Sequence, residues 1–290
     1  MPTIADLLKR AQVLDPVSDT PRLDVEVLLC HVLDKPRNYL YAWPEYVLEQ
    51  QALTQFKYLF ARRIAGEPIA HLSGQKEFWS LSLDVNASTL IPRPETELLV
   101  ETALNLFNES KIDNSKFDSA IQVLDLGTGT GAIALALASE RPNWNVLAVD
   151  SSADAVKLAE SNRTRLDFDN VQIDQSDWFE NVNADRRFDL IVSNPPYIAP
   201  DDRHLSEGDV RFEPRSALVA NDAGFADIET IILNASEFLV RGGWLLLEHG
   251  SEQGEGVREL LKAHLDDVTT WRDVAGLERV SGGRVPIGEV

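Results

Sequence analysis

The chain has 290 residues, 44% hydrophobic and 26% charged, which is typical of a globular protein with one large domain or two of ordinary size. Its single cysteine, Cys30, excludes an internal disulfide, and neither it nor the five histidines support a metal site. No apolar run approaches the roughly 18 residues that span a bilayer, and no signal-peptide pattern begins the chain, so we expect a cytoplasmic protein without a membrane partner.

The net charge of −20 is concentrated in the later part of the chain. Residues 1–75 carry 8 Lys and Arg against 9 Asp and Glu, whereas residues 76–290 carry 19 against 38. Such an acidic surface repels nucleic acid and favours a partner with a basic surface. The charge therefore argues, weakly, against direct binding of nucleic acid.

Residues 1–75 are predicted to form a helical domain. Apolar residues recur at helical spacing in three segments separated by prolines. These segments are residues 5–15, 22–34 and 48–67. Nothing in them suggests chemistry, so we interpret the region as a small bundle whose functional use would be the docking of a substrate.

A connector with strand-like alternation is predicted over residues 76–93, ahead of a third region over 94–290. Pro94 suits the first position of a helix that continues over 98–107, and Glu95 suits the positive end of its dipole. Arg93, held between two prolines, is a candidate for the active cleft whose role stays open. A polar loop without a packing pattern is predicted next, over 108–120.

From residue 121 onward the pattern alternates between strand and helix, which is typical of an α/β fold with a parallel sheet. We predict strands at 121–126, 145–149, 171–174, 188–192, 244–248, 268–272 and 279–285, and helices at 132–139, 154–166, 227–240 and 255–264. Gly242 and Gly243 are expected to end the helix over 227–240. The segment 281–284 is interpreted as part of a bulged last strand rather than as a phosphate loop.

Candidate ligand-binding residues follow the first three of these strands. The first ends in the run Asp125-Leu126-Gly127-Thr128-Gly129-Thr130-Gly131, whose glycines allow a sharp turn and a close approach to a ligand. Asp150, about 20 residues further on, is well placed to bind ribose hydroxyls. After the third strand, Asp177 could accept a hydrogen bond from an adenine amine and Trp178 could stack on its ring. The glycine loop alone also fits a dinucleotide site.

The run Asn194-Pro195-Pro196-Tyr197 follows the strand over 188–192. Neither proline can donate to a sheet ladder, so the backbone must leave the sheet there. The Asn194 side-chain oxygen and the Pro195 carbonyl are both acceptors, whereas a planar NH₂ group has two donors, and the Tyr197 ring could lie against that group. These residues indicate a site for an amide or amine whose nitrogen is aimed at an electrophile; the simpler alternative is a rigid turn.

The combination of motifs resembles the HemK family of glutamine N5-methyltransferases, which modify peptide-chain release factors. The resemblance covers nearly the whole chain. It includes the helical start, residues 91–97, the glycine loop, Asn194–Tyr197, Glu213-Pro214, Ala217-Leu218, Glu248-His249-Gly250 and residues 275–279. It implies a Rossmann-like, class I S-adenosylmethionine-dependent methyltransferase core with a seven-stranded sheet, an antiparallel last strand and an N-terminal helical domain.

The resemblance also implies roles for individual residues. Cofactor binding falls to Asp125, Gly127, Thr128, Gly129, Thr130, Gly131, Asp150, Asp177, Trp178 and Asn194. Substrate binding falls to Asn194, Pro195, Pro196 and Tyr197, with Asn194, Pro195 and Tyr197 catalytic and no metal. One departure is small: Glu95 stands where the family often has Asp, and the charge is kept.

Three alternatives remain open at this stage. A relative that methylates a glutamine of a ribosomal protein shares much of this pattern. An adenine-N6 methyltransferase of nucleic acid would use the same four residues, but it predicts a basic, aromatic groove that the sequence lacks. A cofactor-binding adaptor without enzymatic activity would explain the glycine loop and leave Asn194–Tyr197 without a purpose.

Overall fold

The computed structural model describes residues 1–107, 120–206 and 208–287. The polar loop predicted over 108–120 therefore lies, apart from Ala120, outside the described residues. The described residues divide into two compact units. The first is drawn from Met1–Gln75, Val85–Ala87 and Arg203–Phe212, and the second from Lys76–Asp84, Ser88–Asp202 and Glu213–Val290.

The first unit is helical. Its helices are α1 (Ile4–Leu8), α2 (Pro21–Leu33), α3 (Arg37–Ala42), α4 (Gln50–Ile64) and α5 (Ile69–Ser73), with a 3₁₀ turn over Lys9–Leu14. Phe56 and Phe60, one turn apart on α4, stack with ring centroids 5.5 Å apart in the core of this unit. The three predicted helical segments are present, but the first is an α-helix continued by the 3₁₀ turn. The short helices α3 and α5 were not predicted, because five or six residues carry too little periodicity.

An ion pair ties the polar segment 203–212 into this unit. Arg63 of α4 lies 2.6 Å from Asp24 of α2 and 3.7 Å from Asp209. The Arg63 side chain also donates to the carbonyl of Val17 at 2.8 Å. The segment Arg203–Phe212 thus belongs to the helical unit.

The second unit is built on a sheet that has seven strands among the described residues, in the order β5-β4-β3-β6-β7-β9-β8. A separate hairpin, β1 (Gln75–Phe78) and β2 (Leu81–Asp84), precedes it. The sheet strands are β3 (Gln122–Leu126), β4 (Asn145–Asp150), β5 (Val171–Gln175), β6 (Phe188–Ser193), β7 (Leu239–Glu248), β8 (Asp266–Arg272) and β9 (Glu278–Arg284). Strands β3 to β7 pair in parallel, and β9 is antiparallel to both β7 and β8. The expected class I methyltransferase architecture is confirmed.

Helices cover both faces of this sheet. They are α6 (Glu97–Leu106), α7 (Ala132–Glu140), α8 (Ala153–Leu166), the short α9 (Asn221–Gly224), α10 (Ala226–Phe238) and α11 (Gly254–Lys262). Successive residues of β3 belong to opposite cores: Val123 packs with α6 and α7, and Leu124 packs with α10 and α11. A strand that is buried on both faces in this way carries apolar residues on both of its sides.

The expectation that Gly242 and Gly243 end a helix was wrong. α10 ends at Phe238, and both glycines lie inside β7, which is longer than predicted. Gly242 has a φ of +79°, and a Cβ on Gly243 would lie only 3.1 Å from the carbonyl oxygen of Phe188 on β6. The β6–β7 register shifts at this point, so the glycines serve a bulge and a close strand approach.

No helix in the described part of the chain is long and apolar enough to cross a membrane. Within the same residues, no cluster of three or more His, Cys, Asp or Glu side chains could hold a metal ion.

Candidate active site

Three neighbouring parallel strands bring their carboxyl ends to one edge of the sheet. Leu126, the last residue of β3, lies opposite Val149 of β4 and Ser193 of β6. The glycine loop, Asp150 and Asn194 therefore meet at the edge where ligands bind in open α/β sheets.

These loops line a cavity of about 220 Å³. Of the predicted site residues, its lining contains Gly127, Thr128, Gly129, Thr130, Asp150, Asp177, Trp178, Asn194 and Pro196. The others, Asp125, Gly131, Pro195 and Tyr197, are not part of the lining. The roles assigned to all of these residues stay predictions.

The glycine loop adopts a conformation that side chains disfavour. The φ angles of Gly127, Gly129 and Gly131 are +71°, +57° and +84°. The N–H groups of Gly127 and Thr128 both donate to the carbonyl of Val149, at 2.9 and 3.0 Å. A Cβ on Gly127 would stand 3.4 Å from the Trp178 ring, so the glycine keeps open the space between the loop and the indole.

Asp125 lies beneath this loop. Its side chain is fully buried, and Oδ2 accepts a 2.6 Å hydrogen bond from the Thr128 hydroxyl. Burial raises the pKa of Asp125 to about 7, and the Thr128 bond opposes that rise only in part. In this structure Asp125 supports the loop that lines the cavity.

Asp150 ends β4 and faces the cavity. Its Oδ2 accepts from the Gly129 N–H and its Oδ1 from the Ser152 N–H, both at 2.9 Å. Burial raises its pKa, and the two backbone bonds favour the charged form. Each carboxylate oxygen keeps a further lone pair, so the group can still accept hydrogen bonds from a ligand.

Trp178 forms one wall of the cavity, and Asp227 lies beside it. Trp178 has a φ of +43°, and its carbonyl accepts a 2.9 Å bond from the Ser176 hydroxyl. Burial raises the pKa of Asp227, the Trp178 side chain opposes the rise, and Asp177 adds to it. Sequence reasoning missed Asp227, because an acid in the first turn of a helix is fully explained by the helix dipole.

Asn194 leaves the end of β6 with its side chain held in one orientation. Its Nδ2 donates to the Thr96 hydroxyl at 3.1 Å. Just before it, the Ser193 hydroxyl donates to the Leu126 carbonyl at 2.7 Å, which ties β6 to β3. One N–H of the amide is thus engaged by Thr96, and Oδ1 can accept a hydrogen bond from a ligand.

Tyr197 is anchored at the back of the same loop. Its hydroxyl donates to Glu248 Oε1 at 3.4 Å, and its carbonyl accepts from Gln253 Nε2 at 3.2 Å. Burial, followed by the Glu248 charge, raises the pKa of Tyr197 well above its ordinary value. The phenol therefore stays neutral and acts as a hydrogen-bond donor.

Arg93 lines the cavity and is paired with Glu213. The guanidinium nitrogen Nη2 lies 2.9 and 2.8 Å from the two Glu213 carboxylate oxygens. Oε1 of Glu213 also accepts from the Ile91 N–H at 3.1 Å. The pair holds the segment ahead of α6 against the start of residues 213–217.

The charges around the cavity are predominantly negative. Its lining contains Asp150, Asp177 and Asp227, whereas Arg93 is the one cationic side chain among the described residues that line it, and Glu213 neutralises it. A cationic ligand is favoured in such a cavity over a polyanion such as a dinucleotide pyrophosphate.

Two family descriptions match the chain. Residues 117–278 match the family described as a methyltransferase domain, and residues 5–74 match the PrmC N-terminal domain. The first match covers most of the α/β core, and the second covers the N-terminal helical region.

Curated relatives resemble the chain along nearly its full length. The release factor glutamine methyltransferase of Pseudomonas aeruginosa is 53% identical and aligns over 98% of this chain and 99% of its own. That of Escherichia coli (strain K12) is 52% identical, over 92% and 93% of the two chains.

Solved structures share the fold. A methyltransferase from Pyrococcus furiosus superposes with a TM-score of 0.53 at 19% identity, covering 80% of this chain and all of that one. At this level of identity the likeness shows the fold alone.

Proposed function

This chain belongs to the family of release factor glutamine methyltransferases, and from that premise we propose that it methylates the side-chain amide nitrogen of a glutamine in a peptide-chain release factor. S-adenosylmethionine is the methyl donor. The observation that carries the proposal is the Asn194 side chain, whose Nδ2 is bound by Thr96 while the residue lines the cavity. That arrangement offers an acceptor to an N–H of a planar amide.

The cavity fits S-adenosylmethionine better than a dinucleotide. The carboxylate of Asp150 suits ribose hydroxyls, and the Trp178 wall suits an adenine ring. The lack of a Cβ on Gly127 leaves room between the loop and this wall. The three acidic groups complement a cofactor whose sulfonium and ammonium charges outweigh its single carboxylate, whereas two phosphates would be repelled.

Asn194 and Pro195 position the substrate amide. An amide nitrogen is a poor nucleophile, because its lone pair is delocalised into the carbonyl. The Asn194 Oδ1 and the Pro195 carbonyl accept its two N–H bonds, and both interactions strengthen as positive charge develops on nitrogen. Bound S-adenosylmethionine supplies the methyl group as an electrophile. Alignment of this kind supplies up to roughly 7–11 kcal/mol in well-oriented intramolecular reactions.

Tyr197 and Pro196 hold residues 194–197 in one conformation. The Tyr197 hydroxyl is fixed by Glu248, so the ring is held in one plane, and its proposed role is to fix the plane of the substrate amide. No base is required, since the product proton can leave to water after the transfer. The acidic second unit disfavours a nucleic-acid substrate, because phosphates are repelled from it.

The decisive test is a tritium-transfer assay that compares purified release factor, a ribosomal-protein fraction, duplex DNA and single-stranded DNA under identical conditions. Label in the release factor, located at one glutamine by mass spectrometry, is the expected result. Label in ribosomal protein or in DNA without label in the release factor contradicts the proposal. Calorimetry with S-adenosylmethionine and NAD, run in parallel, should detect binding of the first only.

A further inference from the structure

The side-chain amide of Gln253 links three segments of the second unit. Its Oε1 accepts the Gly250 N–H at 2.9 Å, two residues beyond β7. Its Nε2 lies 3.2 Å from the carbonyl oxygen of Tyr197, and 3.5 and 3.4 Å from those of Ala223 and Gly224 in α9. One polar group therefore joins the chain after β7, the loop after β6 and the end of α9.

The partners of Gln253 permit one orientation of its amide. The Gly250 N–H can only donate and backbone carbonyl oxygens can only accept, so an amide turned by half a revolution would lose all of these bonds. The Gln253 N–H also donates to the Gly250 carbonyl at 2.9 Å. The turn before α11 is thus closed by the backbone and by the side chain of the same residue, which holds the amide in place.

The loop after β6 needs an anchor of this kind. Pro195 and Pro196 have no N–H with which to fasten the backbone to its surroundings. On the side of β6, the Ser193 hydroxyl donates to a carbonyl of β3 at 2.7 Å. On the far side, the Tyr197 carbonyl is the backbone group that Gln253 binds. The two acceptors assigned to the substrate amide lie between these two anchors.

Close packing confines the second anchor. A Cβ on Gly224 would lie 2.8 Å from Gln253 Nε2 and would overlap the Tyr197 carbonyl oxygen. A Cβ on Gly250 would lie 3.0 Å from Gln253 Oε1. The backbone reaches the Gln253 amide on both sides because these two positions lack a side chain. The Tyr197 peptide is consequently held by contact as well as by hydrogen bonding.

We propose that Gln253 is a positioning residue for methyl transfer, which fixes the Tyr197 peptide and with it the acceptors of Asn194 and Pro195. The proposal rests on the proposed function, because it assigns these acceptors to the substrate amide. Gln253 is not among the described residues that line the cavity, so it acts through the loop. A misplacement of about 1 Å at the reacting atoms can cost up to about 10²-fold in rate.

The test uses the full-length protein with two substitutions of Gln253. Gln253→Glu keeps an oxygen for the Gly250 N–H and removes the donors that face the three carbonyls. Gln253→Met keeps the length of the side chain and removes both functions. Gln122→Glu is the matched control, because Gln122 Nε2 donates to the Ala120 carbonyl at 2.9 Å, at the end of β3 opposite to the glycine loop.

For each protein, kcat and KM for release factor are measured, together with the affinity for S-adenosylmethionine by calorimetry and the thermal unfolding curve. We expect each Gln253 variant to lower kcat roughly tenfold at saturating release factor, because the acceptors are displaced from the substrate amide. The affinity for S-adenosylmethionine should stay within about twofold of wild type, since the loss falls on the transfer step. Gln122→Glu should keep wild-type kcat.

A double variant separates positioning from a general weakening of the fold. In an Asn194→Ala background one of the acceptors that Gln253 positions is already absent, so Gln253→Glu should lower kcat there by less than about threefold. A substitution that only weakens the fold lowers kcat by the same factor in both backgrounds.

Three results overturn the proposal and leave the proposed function standing. The first is wild-type kcat in both Gln253 variants. The second is an equal loss of kcat from Gln253→Glu with and without Asn194→Ala. The third is a loss of affinity for S-adenosylmethionine in step with kcat, which assigns Gln253 a merely structural role. A wild-type protein that does not label release factor overturns both proposals.

Discussion

At the scale of single residues, buried carboxyl groups gather under the site. Asp125 is the second-to-last residue of β3, and Glu248 is the last residue of β7. Burial raises the pKa of each carboxyl group to about 7. Each is met by hydroxyl groups, Thr128 for the first and Tyr197 for the second. Such groups hold the flanking loops in place, and they make the stability of the fold depend on pH.

The contribution of Asp125 to the free energy of unfolding should fall as the pH rises. Its pKa is about 7 in the folded protein and close to 3.8 when unfolded, so between these values the native state binds the extra proton. The protonated group contributes its full stability at pH values below the pKa of the unfolded chain. That contribution is lost as the pH rises through about 7, the pKa in the folded protein. Relative to Asp125→Asn, the wild type should lose about 2 kcal/mol of unfolding free energy between about pH 5 and pH 8, measured by urea unfolding.

The control is Asp154→Asn, which alters an exposed acid of α8. Its unfolding free energy should follow the wild-type curve. An Asp125→Asn variant that also runs parallel to wild type would show that Asp125 is ionised in the folded protein at acid pH.

Asn194→Ala should reduce turnover by roughly 10²–10³, the usual cost of losing one preorganised hydrogen bond to the transition state. Cofactor affinity should change far less, because Asp150 and the glycine loop are untouched. Steady-state kinetics with saturating release factor measures the effect. Asn181→Ala, which removes a surface amide bonded to the Gln175 carbonyl, is the control, and near-normal turnover of Asn194→Ala would make Asn194 a turn residue only.

Trp178→Ala should weaken binding of S-adenosylmethionine by about 1–3 kcal/mol, the range found for stacking of a base on an aromatic side chain. Titration calorimetry at constant pH gives the value directly. Trp271→Ala removes an indole that packs against Trp244 outside the cavity, and it should leave the affinity unchanged. Equal affinities of the two variants would exclude stacking by Trp178.

At the scale of elements, the loop after β6 is confined by a neighbouring turn. Gly224, at the end of α9, has a φ of +89°, and a Cβ there would lie 2.2 Å from the Tyr197 carbonyl oxygen. Backbone cannot yield as a flexible side chain does. The close approach of α9 therefore sets the course of residues 194–197.

Gly224→Ala should displace this loop and lower both turnover and thermal stability. Gly74→Ala is the control, since Gly74 has a φ of +74° and, among the described residues, no neighbour within 4 Å of the point where a Cβ would lie. That variant carries only the left-handed strain of about 1–2 kcal/mol and should keep full activity. Turnover and thermal unfolding of the two variants distinguish the clash with the Tyr197 carbonyl from the strain of a left-handed alanine. Equal turnover and equal stability of the two variants would mean that the loop accommodates the added methyl group.

At the scale of the whole molecule, the acidic charge and the exposed aromatic residues occupy different parts of the chain. The excess of 19 negative charges lies in residues 76–290. In the first unit, Tyr41 and Trp43 are 53% and 61% exposed. Exposed aromatic side chains are typical of protein-binding surfaces, which suits the predicted docking role of this unit.

Trp43→Ala should raise KM for the release factor about fivefold or more, as loss of an interface aromatic does, and leave KM for S-adenosylmethionine unchanged. Leu233→Ala, at an exposed position of α10 in the second unit, is the control. Substitution is preferable to deleting residues 1–75, because Arg203–Phe212 belongs to the same compact unit. Unchanged KM for the release factor would place docking elsewhere.

The sequence by itself determined the order of the strands and helices in the second unit, except for the short helix α9. Apolar runs, glycines and prolines act within a few residues, so the ends of β3, β4 and β6 and the residue types that follow them could be read directly. The same locality explains two failures: α3 and α5 are too short to show a period, and Gly242 and Gly243 were assigned to a helix end instead of a bulge in β7.

Only the tertiary structure decided which polar groups meet. Asn194 and Thr96 are 98 residues apart, Arg93 and Glu213 are 120 apart, and Tyr197 and Glu248 are 51 apart. An acid at the end of a strand or in the first turn of a helix reads the same whether it is solvated or buried beside a hydroxyl. Its partner and its pKa are set by how distant elements pack, and no local pattern in the chain records that packing.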